Sequence, residues 1–567
     1  MYGWVIAKNM DIHLLKEESA KRYLIDGYQI YVNVMNKFNK DTIFDFETEN
    51  IQLLDGVILN KKELLETYRQ NDWKNVFETI SSQGDFPNQL RGCFNGVLYN
   101  KEKKSITAFT NQIGDRTVYY YIDNEHLIIS SNYNYMLDVL KYNHISLTVN
   151  VTAAKYMLTY GYMLDDETFC EQIHRLLPGS KICINENDIF NYKIQYYFQI
   201  DNMVNVSYTE KQAIEAIDSS FRKAIKREFE KDCEYGYRHL VDLSGGLDSR
   251  MTCWVADEMG YKDQVNISYC KSNYYDEKIS KEIAAYLNHE YIFKYLDDKK
   301  FLYDIEEIME KNFCSAIYFG ITGGNRLLKS LNMSIFGLEH TGQVGDAILS
   351  TFYNNEEENY SKPVFGEKQY SKNLKFIFDN EVLNKYENKE LFAINTRGFL
   401  GACSSHLIRQ NYTEVVSPFL DVDFMNTCFS IPFSMRKNHY IYLKWIEKKY
   451  PKALEFQWEK TRVKMINGWK WRSKIKFAGI KIKHGVEKNL FKKQYDDGMN
   501  PFEYWYNQDS EIKNVIELYY TKNCQYLSVF DENERIQIKN MFTASDAVDK
   551  MLVMSTLESI KKVCQKR

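Results

Sequence analysis

Proline is scarce in this chain, seven in 567 residues, so its loops must be built from Gly, Asn and Asp. Eleven cysteines are scattered without a C-x-x-C pair and ten histidines show no H-E-x-x-H spacing, which excludes the usual structural zinc frameworks. An odd, dispersed set of thiols fits buried or free cysteines in a reducing compartment. No run approaches the roughly 18 apolar residues of a membrane span. The opening Met1-Tyr2-Gly3-Trp4-Val5-Ile6-Ala7 lacks the basic start of a signal peptide. Neither sign of charge prevails, since 73 basic residues face 77 acidic ones, and a net −4 offers no basic field for nucleic acid or an anionic membrane. These absences predict a cytoplasmic protein with no nucleic-acid or membrane partner.

What is abundant excludes disorder: 44% of the chain is hydrophobic, and it carries 44 Tyr and 33 Phe. The first two hundred residues read as antiparallel α+β. Tyr28, Ile30, Val32 and Val34 alternate at period two, and similar runs follow at Gly92–Tyr99, Ile106–Thr110, Val118–Ile122 and Leu127–Ser130, with a helix over Lys61–Arg69. Near Asn205 the pattern changes. Ile214, Ile217, Phe221, Ile225 and Phe229 step by three or four, predicting an amphipathic helix from Tyr208 to Lys231. Strand and helix then take turns: Leu240–Leu243, a helix stopping at Gly260, Val265–Tyr269, a helix through Ile279, Ile283 and Leu287, and Tyr291–Leu296. That alternation predicts βαβ units and a parallel sheet. The expected organisation is α/β in two domains, 1–204 and 205–567. Asn354–Asn359, acidic and Asn-rich, reads as an exposed loop.

The most informative stretch is Leu240-Val241-Asp242-Leu243-Ser244-Gly245-Gly246-Leu247-Asp248-Ser249-Arg250. Glycines at a strand-to-helix turn let backbone N–H groups approach an anion, the hydroxyls of Ser244 and Ser249 add donors, and the helix N-terminus adds partial positive charge. Asp248 would repel phosphate unless a divalent cation joined them, which points to Mg-pyrophosphate. It is not a Walker loop. The nearest such match, Gly323 to Lys329-Ser330, has Leu328 where the second glycine must stand.

Ser-Gly-Gly-Leu-Asp-Ser resembles the pyrophosphate loop of ATP pyrophosphatases, specifically that of asparagine synthetases and their relatives. Other segments follow in family order. Leu54–Asn60 is similar to D/N-G-E-I-Y-N, Gly114-Asp115-Arg116 through Tyr120 to R-D-x-x-G-x-x-P-L-Y-Y, and Thr168 to Gly179 to the passage that closes the first domain. Asp276-Glu277 with Ala284 and Leu287, Thr341–Asp346 (T-G-E-G-x-D), Glu414–Asp421 (E-x-R-x-P-F-L-D) and Pro451 with Trp458–Thr461 continue the likeness, which runs from about residue 50 to 465.

The resemblance implies a glutaminase-like Ntn-type αββα sandwich followed by a parallel-sheet, adenine-nucleotide-binding synthetase domain with helical additions. It assigns the ATP phosphates to Ser244, Gly245, Gly246 and Ser249, with Leu247 and Asp248 completing the cofactor-binding loop. Adenosine would lie against Leu243, Tyr269, Thr341 and Gly342, Mg²⁺ between Asp248 and Asp346, substrate at Gln343, and the catalytic cation at Lys460, with Lys464 as its fallback. Two departures matter. The family's nucleophilic cysteine is a mature N-terminus, whereas position 2 is Tyr2 and the first cysteine is Cys93, so glutaminase activity is not expected. Gln343 and Ala347 stand where asparagine synthetases carry Glu, and Val416 where they carry Arg.

The resemblance implies adenylation of a carboxylate, small-molecule or peptidic, followed by attack of an amine. Relatives without the cysteine close β-lactams or macrolactams with an amine already on the substrate; others sit in sugar-amidating pathways, and ammonia could serve a sugar acid or aspartate. A catalytically degenerate nucleotide-binding scaffold is the alternative of another class, and an oligomer is compatible with either. A thiol-transferring pyrophosphatase would need a cysteine such as Cys253 or Cys270 near the loop. The basic stretch Lys460–Lys493, twelve Lys or Arg against Glu487, reads as solvated surface, with Trp469 and Trp471 as core or rim.

Overall fold

A computed structural model describes residues 2–17, 19–46, 50–203, 206–320, 322–466, 468–476 and 498–565. Two six-stranded antiparallel sheets form the first part. One runs His174–Arg175, Tyr119–Ile122, Leu127–Ser130, Gly3–Lys8, Tyr28–Asn33, Lys21–Ile25; the other runs Asp188–Tyr196, Ser180–Asn185, Ser105–Thr110, Gly92–Asn100, Ile51–Ile58, Ile43–Asp45. Period-two alternation sends Trp4, Ile6 and Ile30 from one sheet and Val97, Ile106 and Ile182 from the other into a shared core. The outer faces are covered by helices Lys61–Tyr68 and Trp73–Ser81 on one side and by Tyr133–Tyr142 and Val151–Tyr160 on the other. The layering is therefore αββα.

The expected change of pattern is present. The boundary itself, at 204–205, lies outside the described residues. A 26-residue helix, Glu210–Tyr235, opens with a capping box between Thr209 and Gln212 and ends at Gly236 in the left-handed region, φ 73°. Beyond it a five-stranded parallel sheet runs Glu290–Tyr295, Gln264–Cys270, Arg238–Asp242, Phe336–His340, Val415–Val416. The chain enters at the third strand, builds outward one way, then returns to the other side. Ligands in such sheets bind at this reversal, beyond the carboxyl ends of the strands. Leu240 lies beside Glu339 and Val241 beside His340, so the loops leaving these two strands are neighbours.

The last helices, Ser510–Asn523, Glu532–Ala544 and Ala547–Cys564, return to the start of the chain and share one core with helices 133–142 and 151–160. Among the described residues no helix is long and apolar enough to cross a membrane. One expectation fails: Asn354–Asn359 is not all exposed loop. A short helix spans Glu356–Tyr360, and Asn359 is buried, donating to Glu390 Oε2 at 3.1 Å beside the buried Arg436–Glu390 ion pair. The stretch 477–493 of the basic run lies outside the described residues; within the rest, Trp471 is 74% exposed.

Beneath the central strands lies a buried charge network. Asp232 meets His239 Nδ1 and His340 Nε2, both at 2.8 Å, and Glu228 meets His340 Nδ1 at 3.2 Å. Burial opposes the charged form of His340, but Asp232 and Glu228 outweigh it and push the imidazole up to about 9. Burial pushes Glu228 up to about 7. Both shifts have one sign for stability. The His340 contribution is complete below its ordinary 6.5 and is lost as pH rises through 9; that of Glu228 is lost between 4.5 and 7. The thermal midpoint should therefore fall from pH 6.5 to 9, and His340→Asn should flatten that limb; parallel slopes in the two proteins would contradict it.

Candidate functional site

Two cavities meet above the carboxyl ends of the central strands. The first, about 440 Å³, is lined by Leu243, Ser244, Gly246, Asp248, Ser249, Tyr269, Thr341, Gly342 and Gln343. The second, about 650 Å³, is lined among others by Asp346, Ala347, Arg397, His439 and Lys460. Val344 borders both and is held at φ 65°, a costly conformation for a β-branched residue. The residues singled out by the sequence are thus divided between adjoining spaces. Within the nucleotide loop two residues line neither: Leu247 is buried in the core, and the Gly245 N–H is closed off by Asp276 Oδ1 at 2.7 Å. Lys464 sits exposed at the end of the two-stranded turn Gln457–Lys464 and lines neither cavity.

The loop's shape is set by its own hydroxyls. Ser249 Oγ accepts from Ser244 N–H at 3.0 Å and lies 2.9 Å from Ser244 Oγ, which in turn accepts from Gly246 N–H at 3.1 Å. The amides of 244–246 are therefore committed inward. The helix Asp248–Glu258 behind them starts without a side-chain cap, since Leu247 carries no acceptor. Its first-turn N–H groups and the serine hydroxyls are the donors left for an anion at this cavity.

Asp248 Oδ2 accepts from the Asp346 N–H at 2.9 Å and Oδ1 from the Tyr442 hydroxyl at 2.8 Å. Burial and the charge of Asp346 push the Asp248 carboxyl up to about 7. A buried carboxylate beside a second one offers the kind of oxygen donor set a divalent cation takes.

Lys460 reaches its cavity through a clamp on the loop. The Gly245 carbonyl accepts from Glu459 N–H at 3.1 Å and from Arg250 Nη2 at 3.3 Å. Arg250, fully buried, also donates to Ala453 O at 2.9 Å. Lys460 itself is exposed to the cavity, its Nζ 3.0 Å from His439 Nε2. His439 was not foreseen. Burial and Lys460 hold its imidazole below the usual value, its Nδ1 is buried without a partner, and it sits with Asn438 in consecutive left-handed conformations, φ 58° and 55°. A neutral imidazole beside an ammonium is a proton acceptor in waiting.

Gln343 differs from its expected role. Although it lines the first cavity, its Nε2 donates to Ala402 O at 2.7 Å and to Ser405 Oγ at 2.8 Å, and its Oε1 faces His406 Nε2 at 2.5 Å. His406 Nδ1 reaches Asp115 Oδ2 at 2.6 Å. The amide is a clasp that ties the 341–346 loop to the antiparallel layers. Arg409, also unforeseen, pairs with Asp242 at 2.9 Å and donates to the Tyr269 hydroxyl at 2.6 Å on the first cavity's wall. Cys253 and Cys270 are buried, and burial pushes both thiols up, Cys270 to about 12, which suits structural thiols and not nucleophiles.

Residues 47–197 match a family model described as a glutamine amidotransferase domain. Over 270 residues the chain is 23% identical to the Methanocaldococcus jannaschii protein named "Putative asparagine synthetase (glutamine-hydrolyzing) 2", covering 46% of this chain and 49% of the relative. The chain is asparagine synthetase-like. It spans about half the length of the curated relative it matches. Two solved structures also align: a glutamine phosphoribosylpyrophosphate amidotransferase from B. subtilis (11% identity, 46% of this chain and 58% of that one, TM-score 0.22) and an allosteric regulatory enzyme of purine biosynthesis (10%, 52% and 74%, TM-score 0.23). Scores of this size give the alignments no further weight.

The close approach of the two loops rests on Gly342, where a Cβ would lie 2.1 Å from Ser249 N and 2.3 Å from Asp248 C. Gly342→Ala should cost about 1–3 kcal/mol and lower the thermal midpoint. Gly84→Ala, with nothing within 4 Å, should leave it unchanged, and equal effects would contradict the account.

Proposed function

We propose that the chain is an ATP-dependent amide-bond-forming ligase that adenylates a carboxylate, and that it lacks glutaminase activity. The observation that carries this reading is the pair of adjoining cavities, with the Ser244–Ser249 loop and Asp248 on one side and Asp346 with Lys460 on the other. ATP and Mg²⁺ fit the first and its border with the second by their chemistry: an uncapped helix N-terminus, two serine hydroxyls, and Asp248 with the Asp346 carboxylate on the adjoining side. Mg²⁺, when bound, would neutralise phosphate charge. Asp248 and Asp346 would hold it, and Leu243, Tyr269, Thr341 and Gly342 would flank the adenosine.

In this reading the substrate carboxylate in the second cavity attacks the α-phosphorus, the bond to the β-phosphate breaks, and pyrophosphate leaves. An amine then attacks the acyl carbon, the carbon–oxygen bond to AMP breaks, and the amide forms. The amine must shed a proton, and neutral His439 stands where one can be taken. Lys460 offsets the negative charge that builds at the reacting centre. Holding the two reactants in adjoining cavities supplies roughly 7–11 kcal/mol of the barrier.

The absence of glutaminase activity is supported at the other end. Tyr2 and Gly3 border a cavity of about 30 Å³, room for a water molecule and not for glutamine. Asn95, Arg116, Thr117 and Ser131 close it. The amine then comes from solution ammonia, a second substrate, or the same molecule, in which case a lactam or macrolactam closes. A degenerate nucleotide-binding scaffold is the second reading, favoured by the committed amide of Gln343 and by Ala347 on the substrate cavity's wall.

The test is pyrophosphate release from ATP across a panel of carboxylates, with ammonium or an amine present. The native chain should form AMP and pyrophosphate with ammonium or amine and no product from glutamine alone. Lys460→Ala should lose roughly 100- to 1,000-fold in kcat, and Asp248→Asn should be inactive. Nucleotide binding without turnover on any carboxylate would favour the scaffold.

A further inference from the structure

A third cavity, of about 750 Å³, is larger than either of those at the strand ends; the segment Thr168–Gly179 contributes Arg175, Leu177 and Pro178 to it, and the proposed reaction does not use it. It lies where the antiparallel layers meet the segment from Lys385 to Phe399. Its walls mix apolar and aromatic side chains, Leu177, Phe198, Ile200, Tyr386, Leu391 and Phe399, with polar and charged ones. This volume and lining are those of a small-molecule pocket.

One wall carries Arg175, 4% exposed. Its Nη2 donates to Gly114 O at 2.7 Å, while Nε is buried with no partner. Among the described residues no carboxylate pairs with it. Asp115, the acid whose field reaches it, accepts from Asn111 Nδ2 at 2.6 Å and is held by His406 at 2.6 Å. Asp166, on the same cavity, is paired with His174 at 3.2 Å, and Lys385, the other cation on its wall, is paired with Asp165. A guanidinium cannot shed its proton to escape burial, so an unpaired one in a cavity wall is a standing anion receptor.

The partner's chemistry is narrowed by the rest of the lining. Asp201 and Glu387 stand at the exposed rim and disfavour a multiply charged anion such as a phosphate ester. One guanidinium together with the apolar side chains on the same cavity matches a monoanion on a hydrophobic body, and carboxylate is a preferred partner of arginine. We infer that this cavity binds a carboxylate carried on an apolar or aromatic residue, an N-acyl amino acid or the C-terminus of a short peptide, with Arg175 as its anchor. The site stands whether or not the strand-end cavities bind nucleotide.

It shares a wall with one of the other cavities. The π-helix Ile394–Ala402 separates it from the cavity of Lys460: Asn395 and Phe399 face the new site, and Arg397 and Gly398 face the other. Such helices recur at functional sites. A ligand here would press on the wall shared with the proposed reaction chamber.

The test is calorimetric titration of the full chain with N-acetyl-L-phenylalanine, with its amide, and with the peptide Ala-Ala-Ala-Phe bearing a free carboxylate. The acid should bind saturably at one site and the amide at least about tenfold more weakly, the loss expected for a missing charge-assisted hydrogen bond. Binding of the peptide as well would assign the site to chain termini, and binding of the capped amino acid alone to a small acid; either supports the inference. Arg175→Gln should erase the preference for acid over amide. Because that residue is buried, Asn395→Trp, at a half-buried position of the cavity wall, narrows the chamber and leaves the guanidinium; it provides the second variant and should weaken both at least about tenfold. Asp248→Asn should bind the acid unchanged. Equal affinity for acid and amide, no saturable binding of any of the three probes, or loss in Asp248→Asn would overturn the assignment.

Discussion

How closely two backbone loops can approach decides the centre of this molecule. The parallel register that sets Leu240 beside Glu339 brings the turns after those strands side by side, and Gly342 lets one lie against the amide of Ser249 with no room for a Cβ. The pairing of Asp248 with the Asp346 N–H, the inward hydrogen bonds of the two serines, and the division of the strand ends into two chambers all follow from that contact. A loop held a side chain's width further off would leave the carboxylates apart and the helix N-terminus facing water. Arg250 completes the arrangement by fastening the loop to the segment that ends in Lys460.

The second constraint is the seam between the antiparallel layers and the parallel sheet. Arg116 reaches both Glu414 and Asp55; Arg227 gathers Glu63, Asp421 and Asp423; and Asp115, His406 and Gln343 form a continuous polar chain. Buried pairs of this kind fix orientation more than they add stability, since each charge is costly once its partner is removed. Through that chain the antiparallel layers act as a platform that sets the 341–346 loop.

Local signals carried most of the fold. Period-two runs at 28–34 and 92–99, the stepped apolar face of 208–231 and the strand–helix alternation after it need only near neighbours to be read, and they match the observed elements to within a few residues. The strand-to-helix glycines likewise located the first cavity. What escaped depends on distant chain. The amide of Gln343 is committed by Ala402, Ser405 and His406, some sixty residues on, and nothing near Gln343 announces them. Asn359 is buried against Glu390, thirty-one residues on, and His439 owes its place to two left-handed residues that no periodicity marks. Leu247 was grouped with its loop, whereas its apolar side chain turns to the core as burial of surface demands.

The central claim is that Asp248 and Asp346 share a metal-bound nucleotide. Pulsed electron paramagnetic resonance on the full chain, with Mn²⁺ in place of Mg²⁺ and ATP present, addresses it directly. The account predicts a protein-bound Mn²⁺ coupled to the phosphorus nuclei of ATP, and its disappearance in Asp248→Asn. A native chain that retains no Mn²⁺–ATP complex, or a variant with the same signal, would contradict it.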